Sequence, residues 1–146
     1  LEGLRDTRCP MAQDARSVAR DFFVAITHHD TERLTELTTP DIEWRSFFAI
    51  GAAGGVYRGH EGIGHYLQNV ADAWETVRAE VEDTLLFGDT LVAVGRLRFE
   101  GRQSGVETTT PAGWVFEFSG PQIDRFRAFQ DPEEALRAIG LPGVER

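Results

Sequence analysis

The chain has 146 residues, 41% hydrophobic and 27% charged, which is the size and composition of one globular domain with an ordinary core. Its formal net charge is −9 and all fifteen basic residues are arginine. The acidity opposes a nucleic-acid partner, which needs a basic stripe, and the absence of lysine excludes Schiff-base chemistry and a Walker-type phosphate loop.

Residues Leu1–Pro10 read as a flexible leader, with Met11-Ala12 as a natural start and 1–13 outside the domain. Cys9, the single cysteine, cannot form an internal disulfide. From Asp14 to His29, Val18, Phe22 and Ile26, with Ala19 and Phe23, recur at helical spacing. Asp30-Thr31 caps a short second helix carrying Leu34 and Leu37, and Pro40 is expected to stop it. Asp41–Phe48 alternates as a strand, and a glycine-rich loop, Gly51–Gly55, follows. A third helix starts near Glu61, with Ile63, Tyr66, Leu67, Val70 and Trp74 on its stripe. Beyond Glu75 the period becomes two. Four strands are predicted: one as far as the two-residue turn Gly88-Asp89, then Leu91–Glu100, Val106–Phe118 and Gln122–Gln130. Asp131-Pro132-Glu133-Glu134 caps a last helix that Gly140 ends.

Strands in a run with helices grouped elsewhere indicate an α+β domain with an antiparallel sheet. Apolar residues of both parities in one strand (Leu91, Ala93, Leu97, Phe99 against Val92, Val94) imply that both sheet faces are partly covered, the second by a partner subunit. No apolar run approaches the ~20 residues of a membrane span and no secretory pattern is present, so a cytoplasmic protein without a membrane partner is expected.

The segments FFVAITHHDTERLTELTTPDIEW, VYRGHEGIGHYL and WVFEFSGPQIDRFRAFQDPEEALRAIGL resemble the nuclear transport factor 2-like superfamily, in its SnoaL-like or ketosteroid-isomerase-like branch. The resemblance covers Asp14–Leu141, a single domain (14–141) followed by a tail at 142–146. It implies a cystatin-like α+β cone, in which a strongly curved, antiparallel-rich sheet wraps around helices, with a pocket in its mouth and a homodimer.

Fold does not choose among that superfamily's activities. Aligned with the ketosteroid isomerases, the general-base position falls on Trp44, the oxyanion tyrosine on Phe22 and its aspartate partner near Trp114. None of these can transfer the proton, since an indole N–H is only a neutral donor. Aligned with the epoxide hydrolases, the arginine falls on Arg96, but the two aspartates fall on Arg98 and Ala128. A slipped register brings Asp124 or Asp131 nearer the pocket.

The resulting pocket candidates are Phe22, Trp44, Trp114 and Phe126 as an aromatic lining, and Tyr57 and Tyr66 as hydroxyl donors. Arg96 and Arg98 complete the set as an anion clamp. Large aromatics suit an apolar or planar ligand, although the same rings can equally close the interior. A two-residue turn sets Arg96 opposite Val81 and Arg98 opposite Ala79, on an apolar face where a charge needs a partner. A bulged turn reverses that parity and leaves both arginines solvated.

No metal or cofactor is expected. His60 and His65 are five residues apart, about 140° around a helix, which does not fit a zinc pair. His28-His29 suits a solvated helix terminus, Gly51–Gly55 lacks the residues of a phosphate loop, and Glu133-Glu134 suits a helix N-terminus. The leading expectation is a small-molecule-binding domain with an aromatic pocket. One alternative is a cofactor-independent isomerase, cyclase, dehydratase or hydrolase using Arg96 and Tyr57 with Asp131 or Glu117 as base. The other is a dimerisation or scaffold module.

Overall fold

The computed structural model describes residues 2–45 and 56–140. The elements follow as α1 (Glu2–Thr27), α2 (Thr31–Leu37), β1 (Thr38–Arg45), β2 (Val56–Arg58), α3 (Gly59–Ala73) and β3 (Trp74–Phe87). After them come β4 (Thr90–Gly101), β5 (Glu107–Ser119), β6 (Gln122–Phe129) and α4 (Pro132–Ala138). One six-stranded sheet has the order β2-β1-β6-β5-β4-β3. β3 to β6 is an antiparallel meander, and β1 joins β6 in parallel. The concave face packs against α1, α2 and α3 around one aromatic-rich core. This is the α+β cone that the resemblance implies.

Local signals shaped most of these elements. The Asp30 carboxylate accepts from the Arg33 N–H at 3.1 Å and opens α2, and the Asp131 carboxylate accepts from the Glu133 N–H at 2.9 Å and opens α4. Three expectations shift. α1 carries helical backbone from Glu2, within the stretch read as a leader. Pro40 lies inside β1 rather than ending a helix; the β1–β6 register shifts between Thr38 and Glu43, so no ladder there needs the missing N–H. Trp74 leaves the α3 stripe and starts β3 in extended backbone, its N–H closing on the Val70 carbonyl. The three-residue β2, pairing with Glu43–Arg45, is too short to show a period. Residues 46–48 of the expected strand, the Gly51–Gly55 loop and the tail lie outside the described residues.

The hairpin between β3 and β4 turns at Gly88-Asp89 as expected, with φ 61° at Gly88. Phe87 pairs with Thr90, and the pairing runs unbroken to Asp83 with Val94. Between Val81 and Asp83 the register shifts, and Val81 then pairs with Gly95. Gly95 permits this bulge because a Cβ there would collide with the Glu80 carbonyl oxygen. The extra residue sets Arg96 opposite Glu80 and Arg98 opposite Arg78, while Leu97 faces Ala79 in the core. Both arginines therefore lie on the convex face, which corrects the inward placement.

The second cover of the sheet is also local. α4 packs Ala135, Leu136 and Ile139 on the convex face over Val92, Val94, Val115 and Phe129. Gly113 makes room for it, since a Cβ at that position would stand 2.8 Å from the Ala135 Cβ. The apolar parity of β4 is thus explained at this end by the chain's own last helix rather than by a partner subunit.

Candidate functional site

The interior of the cone is built from rings. α1 presents Phe22 and Phe23 on adjacent sides of its inward face, and β1, β5 and β6 contribute Trp44, Trp114, Phe116 and Phe126. Phe22 centres the cluster, 4.9 Å from Trp44, 4.7 Å from Phe126 and 5.4 Å from Phe116 between ring centroids. Phe23 sits edge-on to Trp114 at 5.0 Å. From α3, Tyr66 lies against Trp44 at 4.6 Å. Phe22, Trp44, Trp114, Phe126, Tyr57 and Tyr66 are all buried. Tyr57 packs at 5.6 Å from Tyr66, and its hydroxyl accepts a hydrogen bond from Asn69 Nδ2 at 2.8 Å.

What these rings leave open is narrow. A slot of about 30 Å³ runs between Phe23, Ile26 and Thr27 of α1, Tyr66 of α3 and the sheet. Val77, Ala79 and Leu97 form one part of its sheet wall, and Trp114, Phe126 and Ala128 the other. That is room for about two waters, against the roughly 300 Å³ at which ligand pockets begin. Trp114 walls this slot, and Trp44 packs against Tyr66 and Phe126, two of its other walls. Thr27 and Val77 also border a polar bowl of about 350 Å³ whose wall includes His29, Trp74, Arg78, Arg98 and Glu100. A third hollow, apolar and about 210 Å³, lies where Val18 of α1 faces Leu86, Phe118 and Pro121.

The charged candidates stand elsewhere. Arg96 Nε pairs with Glu82 at 3.0 Å, and Arg98 pairs with Glu80 at 3.0 Å and Glu107 at 3.6 Å. Arg98 reaches the bowl's wall while engaged in those pairs, and Arg96 borders neither opening. The hydrogen bond from Arg98 holds the Glu80 carboxyl below the ordinary carboxylate range, and the same bond raises the Arg98 guanidinium. The candidate bases are also occupied. Glu117 pairs with Arg127 at 2.8 Å on the convex face, Asp131 caps α4, and Asp124 accepts from Thr39 Oγ1 at 2.7 Å. Among the described residues no group of three His, Cys, Asp or Glu could hold a metal.

Phe23, Ile26, Leu97 and Ala128 were not read as pocket walls from sequence. Phe23 follows Phe22, and only the placement of α1 across the cone turns both rings inward.

A family model described as SnoaL-like domain matches residues 19–127. The chain belongs to the SnoaL-like family. Solved structures agree with this SnoaL-like domain in fold. An NTF2-like protein of unknown function from Burkholderia pseudomallei is 19% identical with a TM-score of 0.72, covering 87% of this chain and 98% of that one. A protein with a ketosteroid-isomerase-like fold from Catenulispora acidiphila, in complex with trimethylamine, is 17% identical with a TM-score of 0.68, over 86% and 93%. A SnoaL-like polyketide cyclase, so assigned, from Shewanella denitrificans is 18% identical with a TM-score of 0.65, over 84% and 96%. No curated protein matches the chain. Among the described residues no helix is long and apolar enough to cross a membrane.

Proposed function

We propose that this SnoaL-like domain binds a small, flat, mostly apolar molecule inside the cone and performs no proton transfer on it. The observation that carries this is the slot itself, a seam among Phe23, Tyr66, Trp114 and Phe126 that meets the polar bowl at Thr27 and Val77. The polar groups of its lining side chains are the Thr27 and Tyr66 hydroxyls and the Trp114 indole N–H, so it supplies contact area and shape but no carboxylate or imidazole to act as a base. Entry of a ring requires the slot to widen, a minor conformation that the ligand itself would favour. A structural neighbour of this fold holds trimethylamine, which supports a small ligand over a macromolecular one.

The narrowness of the slot favours one competing reading, a scaffold module with a solid core. Tryptophan fluorescence separates the two. Titration with single-ring compounds such as ethylbenzene changes the emission saturably if the interior opens, and Ala128→Leu, which fills the slot, abolishes that response while the variant stays folded. An unresponsive wild-type chain supports the scaffold.

A further inference from the structure

The indole N–H of Trp44 is a polar atom buried in the aromatic core. Trp44 is fully buried, and its Nε1–H has no hydrogen-bond partner among the described residues. Leaving a buried donor unmade is costly, and native structures rarely do so without a reason. The indole is held by Phe22, Tyr66 and Phe126, at centroid distances of 4.9, 4.6 and 5.2 Å. Two of those rings, Tyr66 and Phe126, also wall the slot. A trapped water is a poor answer there, because a buried water needs about three polar partners and the surroundings of Trp44 are mostly ring carbon.

We propose that the Trp44 Nε1–H donates a hydrogen bond to an oxygen of the ligand, and that the ligand is a flat, largely apolar molecule carrying a neutral carbonyl. This rests on the interior-binding reading above and names its ligand class. The oxygen is neutral because no side chain lining the slot is charged, so a carboxylate seated there would lack a counter-charge. It is a carbonyl rather than a hydroxyl because a hydroxyl brings a second proton that would itself need an acceptor.

Acetophenone and ethylbenzene, which differ in shape by little more than C=O for CH₂, test this by calorimetry and by the indole N–H resonances of the three tryptophans. The wild type binds acetophenone roughly five- to ten-fold more tightly than ethylbenzene, and Trp44→Phe erases that preference while retaining ethylbenzene binding. In the wild type the Trp44 indole resonance, told apart from the other two with Trp74→Phe and Trp114→Phe, moves downfield with acetophenone and stays with ethylbenzene. That readout stands even where Trp44→Phe does not fold, and movement of the Trp114 resonance alone overturns the role of Trp44. Equal affinities in the wild type, or a preference that survives in Trp44→Phe, overturn the role of Trp44 alone. Failure of both compounds to bind the wild type overturns the interior-binding reading and this inference with it.

Discussion

The two faces of this sheet obey opposite rules although the same strands build both. On the concave side, Trp44 of β1, Trp114 and Phe116 of β5 and Phe126 of β6 pack with Phe22 and Phe23 of α1, and Phe22 and Trp44 are wholly buried. On the convex side, beyond the apolar patch of Val92, Val94, Val115 and Phe129 that α4 covers, arginines pair with glutamates. Arg58 and Arg125 flank Glu43, Arg125 and Arg127 share Glu117, and Arg98 lies between Glu80 and Glu107. The rings stabilise by area removed from water, whereas the ion pairs contribute little each because most are screened by solvent. The slot therefore has no charged side chain in its own lining, and charged groups such as Arg78, Arg98 and Glu100 stand in the wall of the bowl that it meets.

Substitutions on the two faces should differ in size. Phe22→Ala removes the ring that touches Trp44, Phe116 and Phe126, and should lower unfolding free energy in urea by about 3–5 kcal/mol. A loss below 1 kcal/mol would mean that the cluster is loosely packed. Gly113→Val comes next, at about 1–3 kcal/mol, because its side chain would meet Ala135 and Pro132 and lift α4 from β5. Amide exchange should then accelerate across Pro132–Ala138 and leave α1 unchanged. Arg96→Ala should stay within about 0.5 kcal/mol of the parent, since its pair with Glu82 is more than half exposed on both sides. It should also leave binding of single-ring compounds unaffected.

The smallest effect is one of pH. Arg98 lowers the folded-state value of the Glu80 carboxyl, so this group stabilises the fold above the unfolded carboxylate range. That contribution is lost as pH falls through the folded value. Glu80→Gln should flatten the urea midpoint's fall from about pH 5 to about pH 3 without altering it near neutrality. An unchanged acid limb would show that the pair does not persist in solution.

The sequence made legible what is decided locally. The α1 stripe, the Asp30 and Asp131 caps and the Gly88 turn each depend on a few adjacent residues. The placement of Arg96 was not legible, because it depends on a bulge near Glu82 that is permitted by Gly95 on the neighbouring strand. The cover over Val92 and Val115 was missed for a similar reason, since it needs α4 and Gly113 to meet across about twenty residues of chain. The resemblance led to the expectation that Trp44, Trp114 and Phe22 stand at positions of catalytic groups, but how much space they leave is a question of packed volume. Alternation alone carries no such information.

Soaking crystals with bromobenzene tests interior binding most directly, because the bromine marks its own position by anomalous scattering. A bromine peak between Phe23, Tyr66, Trp114 and Phe126, with the slot widened around it, is the predicted result. A peak only in the hollow beside Val18, Leu86 and Phe118, or none inside the cone, would contradict the account.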